Sequence, residues 1–444
     1  MDSLHASRVL MGDSLGFHII FVLFGLTLPI LVSWFEYIGL RRNDKRFIKL
    51  AKFWSKIMAL LVIVGVISGT IIALQMSLVW PGILKFGGDV IGLPFMFETY
   101  AFLLEAVFLG TYMATWNNKK ISPWLHWMFG LGIVVGSTLS AFAITSVNAW
   151  MNLPTGFTIV QGTFKNVDVF KAMFSPTSLI EFLHSMPGYW LAASLAIAAL
   201  YAAKMLRTRP KDRTADKNRP DWVVIQKLMI FACAAFILTA VTADLTGKYL
   251  AKHEPAKLAT IEMVDHTTRN APFIFGGIDS GNGKITGPYI KIPSALSLLA
   301  GGSTTSTVTG LNDIPKNEQP PTAIRPIFNL KLTCTIALII LIVLYFLLKL
   351  FRPRWLAHKI PLLLLAIGGW LGVVVVEFGW MITEIGRQPW AVRGYVTTEQ
   401  AVTKTHNITS FGYFFPAAYA LLFAVTIIAL RKIIRDEASK GRSI

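Results

Sequence analysis

The chain has 444 residues, 54% hydrophobic and 15% charged, with a net charge of +18 from 42 Lys and Arg against 24 Asp and Glu. A mean hydropathy of +0.56 with so few charges excludes a disordered chain, a disulfide-built secreted scaffold and an ordinary soluble enzyme. Cys233 and Cys334 both lie in apolar runs and form no CxxC or CxxCH motif. The opening MDSLHASRVLMGDS lacks a basic start, an apolar stretch and a small-residue cleavage site, so no removable signal peptide is expected.

About 20 apolar residues cross a bilayer as a helix. Nine such runs occur, near 14–40, 57–79, 93–115, 123–147, 178–203, 222–244, 328–350, 362–386 and 408–430. Alternation over ten-residue segments is missing, which argues against a β-barrel. The expected fold is an all-α integral membrane bundle of nine transmembrane helices. Residues 1–244 form helices 1–6, 245–327 a long external loop, and 328–444 helices 7–9. The loop is rich in Gly, Pro, Ser and Thr but holds apolar stretches (APFIFGG, IPSALSLLAGG), and reads as a folded cap. No internal repeat suggests inverted halves.

Charge orients the bundle. One side of the membrane carries 25 Lys and Arg, among them RRNDKR after span one and RTRPKDR after span five, against six in the short loops opposite. The positive-inside rule places the C-terminus in the cytoplasm and the N-terminus outside. The basic excess is therefore topological, and no nucleic-acid partner is expected.

Ionisable groups inside a span are costly, so each is a functional candidate. His18 in span one and His184 in span five fall in the outer third, and Glu384 and Arg387 reach the outer side at the end of span eight. Three candidate iron ligands at one depth favour a metal or haem over a histidine merely bonded to its neighbour. Glu98 and Glu105, seven apart in span three, share one helix face about 10 Å apart and suit a proton relay better than two neutral structural acids. Glu377, Trp380, Glu384 and Arg387 line one face of span eight, where Arg387 can neutralise a carboxylate or a haem propionate. Ser140 and Asn148 in span four extend a hydrogen-bonded path or join helices. A proton-coupled carrier would explain the acids but not the paired histidines.

The segment ITEIGRQPWAV (382–392) resembles the GRQPW signature of subunit I of cytochrome bd-type quinol oxidases. Further matches run end to end: ASR with His18 ten residues later, FET…FLLEAVFLG, STLSAF…NAWMNLPTG, His184 before GYW, KLATIE in the loop and EFGW. The resemblance implies a plasma-membrane enzyme of bacteria or archaea that oxidises quinol and reduces O2 to water. Its cofactors would be two haem b, one low-spin and one high-spin, and haem d. By position, His184 matches an axial ligand of the low-spin haem, and His18 and Glu384 match those of the two high-spin haems. Glu98, Glu105, Ser140 and Asn148 fall where the family moves protons or binds haem. Arg8, Trp380, Arg387 and Trp390 fall around the haems, and Lys257 and Glu262 match the quinol-binding pair. A second membrane subunit is implied, with a small single-helix subunit as a further candidate.

The sequence departs from the family at the quinol side. The low-spin haem's second ligand is a Met early in span seven, yet IFNLKLTCTIALI (327–339) contains none. Thr333 or Cys334 falls near that place; a Cys334 thiolate, Lys331 or a five-coordinate iron are the options. Glu254-Pro255 replaces the family's Gln-Pro, and SLVW (77–80) lacks the Asn that precedes the tryptophan. A divergent oxidase subunit with an altered low-spin site and another electron donor is the alternative reading.

Overall fold

The structure, a computed structural model, describes residues 3–161, 163–210, 213–216, 219–279, 285–405 and 408–439. Of the basic residues that orient the bundle, Lys211, Lys217, Lys440 and Arg442 lie outside these. Among the described residues, nine helical segments are long and apolar enough to cross a membrane, one for each apolar run. They are α1 (Ser3–Arg41), α2 (Lys45–Leu78), α3 (Pro81–Thr115), α4 (Pro123–Asn152), α6 (Pro176–Leu206) with the short α5 (Val169–Met173) leading into it, α7 (Pro220–His253), α10 (Ile324–Phe351), the α11 (Lys359–Gly368) and α12 (Leu371–Ile385) pair, and α14 (Ile408–Ser439); β1 (Thr158–Val160) and β2 (Thr163–Lys165) pair ahead of α5, and the one-turn α13 (Thr398–Ala401) precedes α14.

Most helices outrun the apolar stretch that reveals them. Capping explains where several begin. Asp44 accepts from Arg46 N at 2.9 Å, and the Ser122 and Ser175 hydroxyls each accept from a backbone N–H three residues on. Proline occupies the first turn of α3, α4, α6 and α7, where its missing N–H costs nothing.

Small residues let the central helices close. α6 buries Ala192, Ala193, Ala196, Ala198, Ala199 and Ala202 almost completely. A Cβ on Gly372 of α12 would stand 2.8 Å from Ala192 Cα, so only glycine permits this approach. Span eight is broken at Gly369 and Trp370 rather than continuous. A Cβ on Gly369 would collide with the Leu195 carbonyl of α6, so the break lies at a close approach to α6 that glycine permits. By contrast, α3, α10 and α14 expose Leu103, Val107, Val343, Leu347, Tyr413 and Leu421, faces suited to lipid or a partner chain.

Between spans six and seven, α7 continues to His253 and α10 begins at Ile324. The segment between them contains α8 (Pro255–Glu262), α9 (Ala295–Gly301), a two-residue pairing of β3 (Thr268–Arg269) with β6 (Thr307–Val308), and the antiparallel hairpin of β4 (Phe273–Asp279) and β5 (Ile285–Ile292). Leu258, Ile261, Val264, Leu296, Val308 and Leu311 form a small core that reaches Ile324 of α10 and Ile382 of α12. Docking thus seats α8 against the end of span eight. A Cβ on Gly386 would lie 2.9 Å from Lys257 Cε, so glycine there admits the lysine stem.

Candidate functional site

His18 meets α2 through Ser68. Its Nδ1 lies 2.8 Å from Ser68 Oγ, and that hydroxyl donates to Val64 O at 2.9 Å. With its proton directed at these helix carbonyls, Ser68 Oγ suits an imidazole Nδ1–H, the tautomer in which Nε2 keeps its lone pair. Gly69 leaves room for the ring: a Cβ there would sit 3.1 Å from His18 Cε1.

His184 repeats the device on α6. Its Nδ1 lies 3.2 Å from Thr242 Oγ1 of α7, and the threonine donates to Leu238 O at 2.9 Å. Nε2 is again the free nitrogen. An orienting partner on one ring nitrogen is how a protein presents the other to a metal.

The end of span eight forms the third node. Arg387 is buried and donates through Nη2 to Glu384 Oε2 at 2.6 Å, while its Nε and Nη1 find no partner. Asn148 of α4 donates to Glu384 Oε1. Trp380 Nε1 donates to Tyr189 OH of α6 at 2.7 Å. Arg8 on α1 is exposed and donates to Gln388 Oε1 at 3.0 Å and Thr398 Oγ1 at 2.7 Å, tying the first helix to the GRQPW turn. Trp390 follows on β7 (Trp390–Val392), paired with β8 (Val396–Thr397).

These donors fit haem. The two imidazoles offer iron their Nε2 atoms, Glu384 offers a carboxylate, and the two orphan N–H groups of Arg387 are a ready cation for a propionate. No cluster of three His, Cys, Asp or Glu suited to a bare metal ion occurs among the described residues.

Other candidates stand apart from this node. Glu105 is buried, Glu98 half-buried, and neither meets a cation among the described residues. Ser140 is buried on α4. On α8, Lys257 and Glu262 are both buried, but Lys257 forms its ion pair with Glu254. Glu262 Oε2 has no partner, and burial raises its carboxyl to about 8. On α10, Thr333 spends its hydroxyl on Asn329 O at 2.8 Å, Cys334 is half-buried, and Lys331 Nζ lies 3.7 Å from where a Gly379 Cβ would stand.

Sequence reasoning missed five groups, four of them buried and Glu181 half-buried. Glu36 of α1 bonds His126 Nδ1 of α4 at 2.7 Å and accepts from Tyr112 OH of α3 at 2.6 Å. Glu181 of α6 accepts from Asn152 Nδ2 of α4 at 3.1 Å. Glu36 and Glu181 are acids inside apolar runs, and the same cost argument would have flagged both.

The fold and site define a multi-span helical membrane protein with three separated axial-ligand candidates. The profile of cytochrome bd terminal oxidase subunit I matches residues 6–438. The chain belongs to that family. A Bacillus subtilis (strain 168) protein provisionally named a cytochrome bd menaquinol oxidase subunit I is 34% identical, over 97% of this chain and 96% of that one. The cytochrome bd ubiquinol oxidase subunit 1 of the same organism is 27% identical, over 97% and 94%. The solved bd oxidase of Geobacillus thermodenitrificans superposes with a TM-score of 0.91 at 33% identity, covering 98% of this chain and 99% of its counterpart. The protein is a multi-pass plasma-membrane subunit of a haem-dependent terminal oxidase. The family oxidises quinol, reduces O2 and works with a second subunit.

Proposed function

We propose that this chain carries two haem b, one low-spin and one high-spin, and haem d, in an oxidase that builds membrane potential without pumping. His184 would hold the low-spin haem, and His18 and Glu384 would divide the high-spin haem b and haem d between them. When bound, these groups supply electron transfer and O2 reduction. The observation that carries the reading is a twice-repeated pairing: Ser68 and Thr242 each hold the Nδ1 of a half-buried imidazole and leave its Nε2 side for a ligand.

The chain's own groups do the rest. Arg387 would neutralise a propionate with its spare N–H groups while holding Glu384 in place. Lys257 and Glu262 would bind quinol on the outer side, Glu262 taking a proton from the quinol hydroxyl. Glu105 and Glu98 would carry cytoplasmic protons outward along α3. Proton release outside and uptake from inside then move one charge per electron. A small single-helix subunit is a further candidate partner, and the unpartnered apolar faces of α3, α10 and α14 offer places for the second subunit.

The test is the two-subunit complex in sealed proteoliposomes, given quinol and O2. Oxygen consumption with a potential that collapses on adding a protonophore is expected; consumption without any potential would overturn the electrogenic scheme. The missing span-seven Met favours one variant reading, a low-spin site of altered ligation fed by another donor. Quinol that fails to reduce the low-spin haem, while an artificial donor succeeds, would establish that variant.

A further inference from the structure

Asn152 of α4 lies one turn beyond Asn148 and is fully buried. Its Nδ2 donates to Asn148 Oδ1 at 3.0 Å and to Glu181 Oε1 at 3.1 Å. Asn148 Nδ2 in turn donates to Glu384 Oε1. The chain of bonds therefore begins and ends on a carboxylate, with two amides between, crossing from α6 through α4 to α12.

The bonds run in one direction. With Glu181 Oε1 as the acceptor, the Asn152 amide turns its NH2 toward α6. The same NH2 group then meets Asn148 Oδ1. With Oδ1 occupied, Asn148 presents Nδ2, and not oxygen, to Glu384. A reversed Asn148 would set two oxygens against each other and push the carboxylate away. Arg387 fixes the other oxygen of Glu384 but comes from the same turn of chain, so among the described residues Asn148 of α4 is what hydrogen-bonds Glu384 to another helix.

We infer that Glu181 is a positioning residue for Glu384, acting through Asn152 and Asn148. It stands where the outer loop meets the bundle: the charges of Glu254, Lys257 and Arg387 all act on it, and its Oε2 is buried without a partner. Tyr249 of α7 also lies within its field. Glu181 is three residues before His184 on the same helix, yet its hydrogen bond leads away from that histidine, toward the Glu384 node. The inference rests on Glu384 being a haem ligand.

The test uses the purified two-subunit enzyme, reading haem content and reduced-minus-oxidised bands separately for each haem. Glu384→Ala checks the underlying reading: retention of every haem would refute the ligand role itself. Given loss in that variant, Glu181→Leu and Asn152→Leu should each lower occupancy of the same haem by about tenfold or more, as loss of an orienting partner typically does. Glu181→Gln keeps an oxygen acceptor and should restore it. The His184 haem should keep its bands throughout. An unchanged spectrum in Glu181→Leu, equal loss in Glu181→Gln, or equal loss of the His184 haem would overturn the inference. If the Glu181→Leu chain does not assemble, Asn152→Leu decides by the same criteria.

Discussion

His18 Nδ1 lies 2.8 Å from Ser68 Oγ across the α1–α2 contact, and the same hydroxyl lies 2.9 Å from Val64 O. One hydroxyl thus fixes the tilt of a candidate ligand. Ser68→Ala removes this partner and adds no bulk. It should lower occupancy of the His18 haem by about 10- to 100-fold, read as pyridine haemochrome per mole of protein. Full occupancy would mean that Ser68 only fills space.

Arg387 supplies a different kind of support, a buried charge with two N–H groups to spare. Arg387→Lys keeps the charge but loses the planar fork, so it should bind haem more weakly than wild type. Arg387→Ala leaves Glu384 without its cation and should be worse, falling about 100-fold in O2 reduction. The expected order is wild type, lysine, alanine. Equal activity in all three would remove Arg387 from the site.

Much of this was legible in sequence because lipid enforces simple rules. A run of about 20 apolar residues must be a helix, and an ionisable group within it must have a use. His18, His184 and Glu384 stand out on that rule. The links between them do not, because Asn152 and Glu181 are 29 residues apart and no local pattern joins them. The broken span eight was hidden too. Gly369 sits at the break, where a side chain would meet the Leu195 carbonyl of α6, a closeness that only the fold creates. The segment between spans six and seven showed its apolar pieces but not its hairpin or the seating of α8 on span eight.

Glu105 lies where Gly136 lets α4 approach closely; a Cβ there would stand 2.9 Å from Glu105 N. Glu105→Gln preserves shape and removes a titratable oxygen. Proton delivery to the oxygen site should slow by about 100-fold, in the range of lost acid–base steps. Reduction of the low-spin haem by quinol should be little changed. Stopped-flow absorbance separates the two phases, and parallel slowing of both would place Glu105 outside the proton route.

Glu262 gives a pH dependence of defined sign. Its carboxyl titrates at about 8 in the folded protein, against roughly 4.3 in a free chain. The folded state holds the proton more tightly, so this group's stabilising contribution is present at low pH and is lost as pH rises from about 4.3 toward 8. A base that takes a proton from quinol works only when ionised, so kcat/KM for quinol should climb with pH, pass half its limit near 8 and level off above that. Glu262→Gln should flatten both the rate profile and the fall in Tm. An unchanged profile in that variant would assign the dependence elsewhere.

The most direct measurement is the reduced-minus-oxidised spectrum of membranes carrying this chain with its second subunit, beside those carrying His18→Ala and Glu384→Ala. Bands for a low-spin haem b, a high-spin haem b and haem d are expected in the parent. Each variant should lose one high-spin signal, a different one in each, and keep the low-spin band. Absence of haem from the parent, or full retention of all three signals in both variants, would contradict the assignment of His18 and Glu384 as the ligands of the oxygen-side haems.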